Sequence, residues 1–125
     1  MKTLKEVFGT EKPIIGMLHL AGFGAHEKLE IAKKEIESLY RSGVTAVLAE
    51  NYFGRSRDVE NVLAYLQKTY PHKIYGVNIL GDPEQLVHAD GAIVGSYFKE
   101  QGLTEYPVDE TRVRKLMAAA VSGIR

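Results

Sequence analysis

The 125-residue chain carries 16 basic and 16 acidic side chains, so its net charge is zero, and it has no cysteine. That balance excludes a broad basic footprint for nucleic acid, and the missing thiols exclude disulfides, thiolate metal sites and cysteine nucleophiles. No segment approaches the roughly 20 apolar residues of a membrane span, and no apolar run behind Met1-Lys2-Thr3-Leu4-Lys5-Glu6 resembles a signal peptide, so a cytoplasmic protein without a membrane span is expected.

Residues 1–12 read as a lead-in whose short helical turn lets Val7 and Phe8 cover one end of the core. Pro13 to Leu20 reads as the first strand, with proline at its entrance, where a missing N–H is tolerated. Ala21-Gly22-Phe23-Gly24 makes a flexible loop. From about His26 to Arg41, the spacing of Leu29, Ala32, Ile36, Leu39 and Tyr40 predicts an amphipathic helix, which Ser42-Gly43 ends.

Val44 to Glu50 is a second buried strand, followed by the loop Asn51-Tyr52-Phe53-Gly54. Ser56 is the expected N-cap of the next helix, with Asp58 in its first turn. Its stripe is Val59, Val62, Leu63, Leu66 and Tyr70, and Pro71 stops it. Lys73 to Leu80 is the third strand. Ala92 to Val94 is a fourth, ending at Gly95-Ser96, and its apolar residues on both faces suit a strand covered on both sides. Asp109 caps a last helix with the stripe Val113, Leu116, Met117, Ala120, Val121 and Ile124.

Strands alternating with helices predict an α/β fold with a parallel sheet. The first three strands start about 30 residues apart, the usual βαβ repeat. Only about a dozen residues separate the third strand from the fourth, the lower limit for a parallel crossover. Gly81-Asp82-Pro83 must turn there, and residues 84–88 must make a short helix. The expectation is one domain over residues 1–125, a four-stranded parallel βα half-barrel with a shortened crossover near 81–91.

Chemistry in such folds collects at the C-terminal strand ends. Those ends carry His19, Glu50, Asn51, Asn78, Gly95 and Ser96. His19 suits general acid–base work near neutral pH, and Glu50 suits a base. One histidine and one carboxylate are too few for a metal site. Gly95 lets a ligand approach the backbone, and Ser96 offers an N–H and a hydroxyl to an anion. Asn51 and Asn78 line the same rim. Read singly, each has a plainer role: a satisfied structural histidine, a solvated or Arg55-paired carboxylate, two turn formers. No Walker loop, nucleotide fingerprint or HExxH is present.

With these residues in place, the chain resembles the BtpA family, relatives of the phosphate-binding βα barrels. Lys12-Pro13-Ile14-Ile15-Gly16-Met17-Leu18-His19-Leu20 is similar to the family's first strand. Ala49-Glu50-Asn51-Tyr52-Phe53-Gly54 is similar to its second strand end, Tyr75-Gly76-Val77-Asn78-Ile79-Leu80 to its third, and Ala89 to Lys99 to its last. The match passes from the third strand straight to the last, so the family's central strands are missing. The resemblance implies a truncated TIM-barrel-like protein that binds a small phosphorylated or sugar-like metabolite, with His19 and Glu50 as catalytic candidates and Asn51, Asn78, Gly95 and Ser96 as ligand-binding ones. It also implies two alternatives: a non-catalytic assembly factor, as in photosystem I biogenesis, and an inactive remnant. No cofactor follows from either line of reasoning. Four strands leave two open edges and half a barrel interior, and the inward half of Ile14, Met17, Val47, Val77, Ile79, Ile93 and their neighbours is expected to lie exposed. A homodimer is therefore predicted.

Overall fold

Short runs of small and branched apolar residues form the strands β1 (Ile15–Leu18), β2 (Ala46–Ala49), β3 (Ile74–Ile79) and β4 (Ala92–Val94). Between and around them lie the helices α1 (Leu4–Phe8), α2 (Gly24–Arg41), α3 (Ser56–Thr69) and α4 (Glu110–Ser122). These come from a computed structural model that describes residues 1–79 and 89–122. The expected helix over residues 84–88, most of the shortened crossover, and Leu80 and Ile124 lie outside the described residues.

The four strands form one parallel sheet in the order β1-β2-β3-β4. Each strand therefore lies beside its predecessor, the winding of a barrel; a doubly wound sheet reverses direction partway. The helices agree. Leu18, Val47, Ala49, Tyr75 and Val77 share one buried cluster with Ala32, Ile36 and Tyr40 of α2 and Val59, Val62, Leu63 and Leu66 of α3. Both crossover helices thus cover the same face. The architecture is α/β with an all-parallel four-stranded sheet, laid out as half a barrel.

Register sorts the other face. Ile15 pairs with Ala46 and Ile74, and Met17 with Leu48 and Gly76, so these residues point away from the α2–α3 layer. Ile15 and Met17 are exposed, as is Ile93 at 57%. Register decides which of the expected apolar residues are the inward ones. Val47 and Val77 belong to the helix-covered core, fully buried, while Ile15, Met17, Leu48, Ile74 and Ile93 form the open side. β4 departs from expectation: it is an edge strand with Ala92 and Ile93 exposed, not a strand covered on both sides.

Capping explains several helix boundaries. Thr3 and Glu6 exchange backbone bonds at the start of α1, and Gly9 ends it with φ of 76°. At α3 the cap position is Arg55, not Ser56; its N–H donates to the buried Asp58 Oδ2 at 2.8 Å. Asp109 Oδ1 accepts from the Thr111 N–H at 2.9 Å and starts α4 as expected. On α4, Leu116 joins the core, but Met117 of the expected stripe is 52% exposed.

One contact ties helix to sheet and another sets β4 beside β3. The Tyr40 hydroxyl donates to the Ile74 carbonyl at 2.7 Å, joining α2 to β3, and burial pushes its phenol pKa well above the usual tyrosine range. Gly76 sits so close to the Gly91 carbonyl that a Cβ would stand 2.8 Å from the oxygen. That approach lets the Val77 N–H reach Gly91 O at 3.0 Å and brings β4 alongside β3.

Candidate functional site

Strand alternation places the polar rim. Position 19 follows Ile15 and Met17 by the strand period of two, position 50 follows Ala46 and Leu48, and position 78 follows Ile74 and Gly76. His19, Glu50 and Asn78 therefore stand at the C-terminal ends of three adjacent strands on the open face. The side chains meet there. His19 Nδ1 lies 2.7 Å from Glu50 Oε1, and Asn78 Nδ2 donates to Glu50 Oε2 at 2.6 Å.

Glu50 is the centre of this set. It is 8% exposed, and a buried carboxylate is costly unless hydrogen bonds compensate it, as these two do. The alternative pairing with Arg55 does not form; Glu50 is taken by the histidine and the asparagine. His19 is different, with half of its side chain open to solvent. A neutral ring donating from Nδ1 to the carboxylate carries its lone pair on Nε2, the tautomer of a general base; a protonated ring makes an ion pair and presents Nε2–H. Nε2 makes no hydrogen bond to the described residues.

The backbone around His19 is firmly held. Its carbonyl accepts from the Phe53 N–H at 3.2 Å. Leu20, fully buried, adopts φ of 60°, a left-handed conformation that costs a non-glycine residue about 1–2 kcal/mol. Lys28 Nζ secures the bend by donating to Gly22 O at 2.6 Å and Leu20 O at 3.3 Å.

The remaining candidates stand apart from the network. Asn51 makes no hydrogen bond to it, and among the described residues its Oδ1 is buried without a hydrogen-bond partner. Gly95 follows β4 and leads into a 3-10 turn, Ser96–Phe98, and a Cβ built on it would meet nothing within 4 Å. Among the described residues, no group of three or more His, Cys, Asp or Glu is placed to hold a metal ion, and no helix is long and apolar enough to cross a membrane.

Sequence reading missed the aromatic shoulder. Tyr52, 67% exposed, sets its ring edge-on to His19 with centroids 5.6 Å apart, and Phe53 packs against Tyr52 at 4.6 Å. The available signal was a pair of aromatics placed directly after a polar strand end. A cavity among the described residues lies elsewhere. It holds about 260 Å³ on the open face at the opposite, N-terminal end of the sheet, where Val7 and Phe8 of α1 face Ile15, Leu48, Ile74 and Ile93. Val7 and Phe8 line this cavity and do not join the buried core, where they were expected to cover one end.

No family model matches the chain, and no solved structure matches it. It is similar to the "Putative sgc region protein SgcQ" of Escherichia coli (strain K12), 30% identical over 147 aligned residues that take in 89% of this chain and 52% of SgcQ. The chain thus spans about half the length of this relative. The aligned span is longer than the 125-residue chain, so SgcQ carries residues within it that have no counterpart here.

Proposed function

We propose that this is a BtpA/SgcQ-like protein that binds a small phosphorylated or sugar-like metabolite at the C-terminal strand ends. The likeness to SgcQ supports the family reading. The observation that carries the site is Glu50, a buried carboxylate gripped by His19 and Asn78 from the strands on either side. A core without a ligand has little use for three polar side chains converging on one rim, since each must be compensated.

In this reading Glu50 fixes the tautomer of His19 and accepts from a ligand hydroxyl with its spare lone pairs, while His19 Nε2 gives or takes a proton. Gly95 leaves room for a phosphate to approach the backbone, and Ser96 contributes its hydroxyl. The exposed Tyr52 ring offers a face for the apolar side of a sugar.

Thermal unfolding in the presence of inorganic phosphate, a pentose phosphate, a hexose phosphate and the free sugars tests this. A phosphosugar at one hundred times its Kd stabilises the fold by about 2.7 kcal/mol. Glu50→Gln and Gly95→Val are expected to abolish that shift. If no probe stabilises the chain, or if all of them act equally on both variants, the rim is not the site. Indifference to every probe is what a non-catalytic assembly factor predicts, a reading that draws on the exposed apolar residues Ile15, Met17 and Ile93.

A further inference from the structure

The open face and the two sheet edges belong to one geometrical problem. Among the described residues, β1 and β4 are the end strands of the sheet, each with one side unpaired. Between them Ile15, Met17 and Ile93 expose 42%, 37% and 57% of their surface, all on the side away from the helices. We propose that a second copy of this chain completes the barrel. β4 of each copy pairs with β1 of the other, about a two-fold axis along the barrel, and the rim site forms across the two seams.

Area selects this arrangement over a simple face-to-face sandwich. Four strands spaced at about 4.8 Å, with four or five residues each rising about 3.3 Å, give an open face of only about 300 Å² per copy. Twice that falls well short of the roughly 1,200–2,000 Å² buried by stable complexes. Pairing both edges and enclosing α1 with its apolar cavity must add the rest. A two-fold axis parallel to the strands keeps all eight running in one direction, so both seams are parallel ladders like those already in the sheet. It also brings both polar rims to one end. SgcQ, about half of which this chain matches, is long enough to supply in one chain what two copies supply here.

The seams change what the site contains. Within one chain, Gly95 and Ser96 lie three strand spacings from His19, about 14 Å along the sheet. Across a seam they lie one spacing from His19 of the second copy. A small ligand held at Gly95–Ser96 thus meets the general acid–base residue of the partner. The dimer stands independently of the proposed ligand; the composite rim rests on that proposal.

Light scattering of the full chain at micromolar concentration is expected to give twice 13.9 kDa. Met17→Lys and Ile93→Lys, on opposite edges of the open face, should each give a monomer with unchanged helical circular dichroism, and Lys34→Glu on the outside of α2 should leave the dimer intact. Amide exchange adds the seam: residues 15–18 and 92–94 should be protected in the dimer and lose that protection in Met17→Lys. A monomeric wild-type chain overturns the proposal, as does a dimer that ignores both lysines or exchanges its edge amides freely. A dimer that meets all these tests yet binds none of the probes overturns the ligand reading alone.

Discussion

Glu50 depends on its neighbours for its ionised form to be tolerable in a buried place. Asn78→Ala removes the 2.6 Å bond to Oε2 and leaves that oxygen buried with one partner fewer; the expected loss is about 1.5–3 kcal/mol in urea unfolding, the range for a hydrogen bond to a charged group. Asn51→Ala should cost clearly less, because its Oδ1 has no partner to lose among the described residues. The same pair marks how far the site was legible. His19, Glu50 and Asn78 are readable because a period of two projects all three onto one face. Asn51 is the very next residue to Glu50, and neighbours on an extended chain point apart, so the period of two does not carry it onto that face. The left-handed Leu20 could not be foreseen, since nothing in a leucine's chemistry favours φ of 60°.

The strands were legible as apolar runs; β4 matches its expected bounds, while β1 and β2 are shorter than their runs. β1 begins at Ile15 and stops at Leu18, because Pro13 offers no donor and His19 and Leu20 turn into the rim. The edge status of β4 was hidden for another reason: Ala92, Ile93 and Val94 are apolar on both faces whether a covering layer is present or not. Gly76 was equally silent, being one glycine inside a strand. Its role appears only with the Gly91 carbonyl beside it, and Gly76→Ala is expected to force β3 and β4 apart. The estimate for such overpacking is about 1–3 kcal/mol. It should be read as a lowered urea midpoint together with faster amide exchange at Val77, whose N–H bonds to Gly91 O.

The overall winding followed from the alternation of strands and helices, and the structure bears it out in strand order and in the single helix-covered face. Which half of the apolar residues faces inward was not recoverable without register, which puts Val47 and Val77 on the helix-covered side and Met17 and Ile93 on the open one. Stability of the assembled layers has an alkaline limit set by Tyr40. Burial holds its phenol protonated, with a pKa raised above the ordinary tyrosine value near 10. Its contribution is intact below about pH 10 and is lost as pH rises further, because the unfolded chain ionises first. Tyr65, raised by desolvation as well, adds in the same direction. Tyr40→Phe should lower stability near pH 7 by about 1 kcal/mol through the lost bond to Ile74, yet flatten the decline between about pH 9.5 and 11.5. Urea midpoints across that interval check the slope; a decline as steep as wild type would assign the alkaline loss to other groups.

The ordering of the strands bears also on how the chain finds its fold. Contacts between successive strand ends close loops of 31, 28 and 15 residues, at His19–Glu50, Glu50–Asn78 and Tyr75–Asp90. Closure entropy grows with the logarithm of loop length, about 0.6 kcal/mol per doubling, so the three steps differ by no more than roughly that amount. No strand must wait for a distant partner. The sheet can be laid down from the N-terminal end in the order in which it is synthesised, each βα unit docking on a neighbour already in place.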